Sequence, residues 1–157
     1  MAIENTRSDT YRTPTTDETI SQLNSYLRGE LSAVETYRQA LGKITEANLN
    51  TTLRECLRSH ETRVALLSSR VSEIGGKPAD GSGAWGGFAK LVEGSAKVFG
   101  TKAAVAALEE GEDHGKSLYQ KDLDRLDAQT RTWVESELQS EQRRSHDLIS
   151  QLKHSIH

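Results

Sequence analysis

Two short stretches of this chain occur twice, and the repetition confines it to folds with two like halves. Gly29-Glu30, with Tyr37 further on, recurs as Gly111-Glu112 with Tyr119, and Glu55-x-x-Arg58-Ser59-His60 recurs as Glu141-x-x-Arg144-Ser145-His146. The two steps are nearly equal (112 − 30 = 82 and 146 − 60 = 86), so the halves read as copies of one helix pair whose connections differ by about one helical turn. The order Glu, His, Glu, His supplies one acid or imidazole per helix. A four-helix bundle needs such a set to build a polar site at its middle.

Apolar spacing carries the same message. Thr15-Thr16-Asp17-Glu18 is a capping box. The helix it opens runs to about Thr45, with Ile20, Leu23, Leu27, Glu30, Val34, Tyr37, Leu41 and Ile44 on one face in alternating steps of three and four. Glu30 therefore lies in an apolar seam. A second helix, from about Leu49 to Ile74, has the seam Leu53, Leu57, His60, Val64, Leu67, Val71, Ile74, and Gly75-Gly76 followed by Pro78 ends it. The turn between the two is short, so they are antiparallel neighbours. A third helix begins after Gly100 with Thr101 as its cap and sets Val105, Leu108, Glu112, Gly115, Tyr119 and Leu126 on one face. The fourth, from about Ala128 to Ser155, buries Leu138, Gln142, Ser145, Ile149, Leu152 and Ile156, while His146 falls beside that row and faces a neighbouring helix more than the axis.

With two prolines among 157 residues, both near element boundaries, long helices are unobstructed and the chain reads as all-α. Residues 1–14 are polar and read as a flexible tail, and residues 15–157 as one bundle domain. The crossover, residues 75–100, is too long for a turn and lets the third helix start at the far end of the bundle. Within it Trp85, Phe88, Leu91, Val92 and Phe99 make a short amphipathic helix that caps one end of the bundle, or else meets a membrane surface or a partner. A formal charge of −3 gives no field for phosphates, which argues against nucleic acid. No apolar run approaches the roughly 20 residues of a membrane helix, so stable membrane insertion is not expected. One cysteine, Cys56, and the lack of a charged-plus-apolar leader point to the cytoplasm. Self-association into a homo-oligomer fits the pattern.

Burying an unpaired carboxylate costs several kcal/mol, so Glu30 and Glu112 must meet a cation, a metal or hydrogen-bond donors. Two readings follow. In the first, Glu30, His60, Glu112 and His146 hold a single iron, zinc or manganese ion, with Tyr37, Tyr119 and Gln142 bonding to those ligands. In the second, no metal is bound and a Glu, His and Tyr layer fixes helix register. In either, a tyrosine from one half can bond the glutamate of the other. Gly29 and Gly111 each cost about 1 kcal/mol relative to alanine and let helices approach around the layer. Glu109, Glu110 and His114 read as a solvated face, and Cys56 as a small buried group.

Seam glutamate, second-helix histidine, long crossover, Gly-Glu and fourth-helix histidine, with the break Ile74-Gly75-Gly76-Lys77-Pro78, together resemble the ferritin-like superfamily. More closely the chain is similar to a bacterial four-helix-bundle family of no assigned activity, distantly related to rubrerythrin and ferritin. Its members share a Gly-Glu-x6-Tyr third helix and a Trp-containing crossover. The resemblance covers about Thr16 to Lys153 and implies a ferritin-like antiparallel four-helix bundle with one long crossover containing a short helix. It also implies a link to metal or oxidative stress. One departure matters: iron-binding relatives use Glu-x-x-His, whereas Leu57 and Arg143 stand three before the histidines here. Glu55 and Glu141 are five before, about 140° round the helix. An oxidoreductase with a di-iron centre is therefore disfavoured. The expectation is a metal-binding bundle with no catalytic residues, its rival a non-enzymatic protein-interaction module with a purely structural layer.

Overall fold

A computed structural model describes residues 12–83, 90, 94, 97 and 99–156. Four helices pack together, and no strand occurs among the described residues. Helix α1 spans Thr16–Lys43 and opens on the expected capping box: Glu18 N donates to Thr15 Oγ1 and Thr15 N to Glu18 Oε2, both at 3.1 Å. It stops slightly short of Thr45 because Ile44 turns extended and buries its side chain. Helix α2 spans Ala47–Glu73. At its end Gly75 takes φ 88°, Gly75 N donates to Ser72 O, and Gly76 N donates to Val71 O, a Schellman cap. A Cβ on Gly76 would sit 2.7 Å from Ile20 Cγ2, so the cap also admits the start of α1.

Helix α3 spans Thr101–Gln120. Its cap is Gly100, at φ 85° and ψ −174°, and not Thr101, whose hydroxyl donates to Glu46 Oε1. The left-handed φ suits glycine and no other residue well. Leu126, expected on the face of this helix, lies past its end: a 3-10 turn, Leu123–Arg125, follows and folds Leu126 into the core. Helix α4 is built from three successive stretches, Ala128–Trp133, a π-helical turn Val134–Leu138, and Gln139–Ser155. Asp127 caps it, accepting from Thr130 N at 2.9 Å.

Side-chain contacts fix the topology. Tyr37 bonds Glu112 while Tyr119 bonds Glu30, so α1 and α3 run antiparallel as neighbours. Cys56 meets the Ser145 carbonyl while Ser59 meets that of Glu141, so α2 and α4 do the same. The crossover leaves beside Asn24, which bonds Lys77 and Ala79, and the chain re-enters where Thr101 meets Glu46 at the opposite end. This is the long return from the second helix to the third. Of the stretch Trp85–Phe99, residues 90, 94, 97 and 99 are helical and the others lie outside the described residues, as do residues 1–11 of the expected tail.

Two apolar clusters fill the bundle. One contains Ile44, Leu49, Leu53, Val105, Leu108 and Ile149, the other Leu23, Leu27, Leu67, Val71, Val134 and Leu138. Between them, at mid-height, lies a layer of buried polar groups.

Candidate functional site: a charge-balanced polar layer

Each helix delivers its part of the layer through the seam read from the sequence. Glu30 and Tyr37 come from α1, His60 from α2, Glu112 and Tyr119 from α3, and Gln142 and Ser145 from α4, all of them buried. At the centre the His60 ring is gripped on both sides: Nδ1 lies 2.6 Å from Glu30 Oε2 and Nε2 2.7 Å from Glu112 Oε1. A carboxylate at each nitrogen favours donation from both and hence the imidazolium, against the Arg63 guanidinium whose Nη2 lies 3.0 Å from Nδ1. The tyrosines close the ends of this chain across the two halves. Tyr37 Oη donates to Glu112 Oε1 at 2.8 Å and Tyr119 Oη to Glu30 Oε1 at 2.6 Å.

Arg63 is the member that sequence reasoning missed. It is 1 % exposed, and its Nη1 donates to Glu30 Oε1 at 3.0 Å. Nη2 donates at 2.8 Å to Ser145 Oγ, which itself donates to Glu112 Oε2 at 2.8 Å. The signal was present: Arg63 lies three residues after His60 and four after Ser59, on the same helix face, and Nε donates to the Ser59 carbonyl. With Glu30 and Glu112 negative and His60 and Arg63 positive, the layer sums to zero.

Protonation follows from these contacts. Burial alone would raise the Glu112 carboxyl, but the charge and bond of His60, aided by Arg63 and Tyr37, bring it down to about 2. Glu30 is lowered in the same way: burial opposes, and Arg63 and then His60 outweigh it. For His60, burial and the Arg63 charge act downward, yet Glu112 and Glu30 leave it raised. Burial and the adjacent carboxylates hold Tyr37 and Tyr119 well above the usual phenol range. Burial also pushes the Cys56 thiol up to about 12, so it is an inert packing group.

The four expected metal ligands do not come together. His146 is turned outward, its Nε2 2.7 Å from Asp113 Oδ1, and it is not in the layer. By the repeat, Asp113 corresponds to Leu31 (113 − 82 = 31), which offers His60 no competing bond. Glu30, His60 and Glu112 do meet, but the acids flank opposite nitrogens of one ring and surround it instead of a common point. Among the described residues, no group of three or more His, Cys, Asp or Glu side chains is arranged to hold a metal ion. Gln142 touches neither carboxylate; its Nε2 donates to the Glu112 backbone carbonyl at 3.0 Å. Gly29 does serve close packing, since a Cβ there would meet Leu118 Cδ2 at 3.0 Å.

No curated protein and no solved structure matches the chain. The model of a family described as a domain of unknown function, DUF2383, matches residues 18–125, which takes in Glu30, Tyr37, His60, Arg63, Glu112 and Tyr119 and leaves out Gln142, Ser145 and His146. That match covers more than half of the sequence, and the chain belongs to the DUF2383 family.

Proposed function

We propose that this chain is a ferritin-like bundle in which an arginine and a protonated histidine take the place of a metal, and that it works as a non-enzymatic protein-interaction module. The observation that carries the reading is Arg63: a fixed guanidinium bonded to Glu30 supplies inside the bundle the positive charge that a metal ion would otherwise bring. With His60 bonded at both nitrogens and both tyrosine protons donated to carboxylates, the layer keeps no free acid or base for chemistry. Its role is then to fix which helix lies beside which, since any other register strands a buried charge. What remains for function is the outer surface, turned toward another protein or a second copy of the chain. The lone buried Cys56 fits a reducing, cytoplasmic setting.

A metal-holding reading through Glu30, His60, Glu112 and His146 requires Arg63 to leave Glu30 and His146 to leave Asp113, and a link to metal or oxidative stress stands or falls with it. Metal analysis of protein purified without chelator, with thermal melts in added iron, zinc and manganese, separates the two. A metal at 100 times its Kd adds about 2.7 kcal/mol, a rise of roughly 5 to 10 °C for a chain of this size. The expected result is substoichiometric metal and no shift. Stoichiometric metal lost in the Glu30→Ala, His60→Ala variant would overturn the proposal.

A further inference from the structure

The pair α1 and α3 leaves between its helices a cavity of about 60 Å³. Its walls join Gly29, Ala33, Leu108, Gly111, Gly115 and Leu118 with the polar Ser32, Thr36 and His114, and its floor is the polar layer itself. Not every glycine there is packed out. A Cβ built on Gly115 meets nothing within 4 Å, whereas one on Gly29 strikes Leu118.

Size, charge and bonding capacity each narrow what fits. One water needs about 10–15 Å³, and a dry cavity of about 150 Å³ takes benzene, so this one suits roughly two to six heavy atoms. The floor is already neutral, with Glu30 and Glu112 against His60 and Arg63, so an ion would enter without a counter-charge and lose its hydration. The Tyr119 hydroxyl has given its proton to Glu30 and keeps acceptor lone pairs, which favours a guest that donates. The leucine, alanine and glycine of the wall favour hydrocarbon beside that donor, and Ser32, Thr36 and His114 are its polar part. We propose that this cavity is a binding site for a small uncharged molecule with one hydroxyl on a short apolar body, a short-chain alcohol being the simplest example. The inference rests on the charge-balanced layer of the preceding reading.

The test is an NMR titration of the full chain, amide by amide, with 1-propanol, propionate and propylammonium. The expected result is saturable shifts centred on Gly29, Ala33, Gly111 and Gly115 with propanol and none with the two ions. Gly115→Leu should abolish the response. Gly42→Leu, which puts the same side chain in open space at the far end of α1, should leave it intact. If Gly115→Leu fails to fold, Gly115→Ala adds a single methyl and should weaken binding several-fold. Linear or scattered shifts, binding of either ion as strong as that of propanol, or a titration unmoved by the Gly115 variants would overturn the proposal. A metal-free chain that ignores propanol sinks this inference alone, whereas a chain carrying stoichiometric metal sinks the reading beneath it.

Discussion

A buried carboxylate must meet its cation at bonding distance or lose its charge, and the pairs Glu30–Arg63 and Glu112–His60 are where this chain meets that demand. Arg63→Met leaves two acids facing one imidazolium. The expected loss is about 3–5 kcal/mol in urea unfolding. Adding Glu30→Gln to Arg63→Met restores neutrality and should recover a large part of that loss; simple additivity of the two would contradict the pairing. The same groups set a pH profile. Glu30 and Glu112 are lowered from 4.5, so their contribution is complete above that value and is lost as pH falls through the lowered ones, about 2 for Glu112. His60 is raised from 6.5, so its contribution is complete below that value and is lost as pH rises through the raised one. Stability from the layer should therefore be greatest between pH 4.5 and 6.5. Unfolding free energies measured across pH should show that maximum, and His60→Gln should flatten its alkaline limb. At this scale the sequence was legible where polar residues interrupted an apolar row: Glu30, His60, Glu112 and the crossed tyrosines were all found that way. Arg63 escaped because a long basic side chain is ordinarily solvated and it sits one position aside from Val64 in the seam. Its signal lay in charge arithmetic, two acids against one imidazole, more than in spacing.

Elements were legible wherever the apolar steps alternate between three and four, and harder to read where they do not. In α4 the buried residues Thr130, Val134, Leu138 and Gln142 come four apart, then Ser145, Ile149 and Leu152 return to alternation. A run of fours drifts off the face of a 3.6-residue helix, and the π-helical turn at Val134–Leu138 widens it to keep all of them inward. That turn is the reason Ser145, and not Arg144, reaches Glu112. Removing one exposed residue from it, Ser136, converts the steps to a regular alternation, so the deletion variant should keep its fold with a melting temperature close to that of the parent. Removing exposed Asp147 instead swings Ile149 and Leu152 out of the core and should unfold the chain. Circular dichroism melts of the two variants decide the matter: equal damage would mean that the π turn does not absorb register. The end of α3 was misread for a related reason. Leu126 is apolar and in phase, but the left-handed Asp122 and the 3-10 turn had already broken the helix before it.

For the whole molecule, the internal repeat gave away the bundle and its crossover but concealed an asymmetry. The halves match in the order and direction of their helices, while Arg63 corresponds to Ile149 (63 + 86 = 149) and Leu31 to Asp113, so one half supplies both cations and the other turns its histidine outward. A repeat in sequence is thus firm evidence for pairing of helices and poor evidence for symmetry of charge. The central claim is that a protonated His60, bonded to two carboxylates, stands at the middle of this bundle in place of a metal. Its most direct test is the ¹⁵N NMR signature of the His60 ring near pH 7, where an ordinary imidazole is mostly neutral. Both nitrogens should appear protonated, in protein free of metal. A neutral ring with one bare nitrogen, or a nitrogen shifted by a bound metal, would contradict the account.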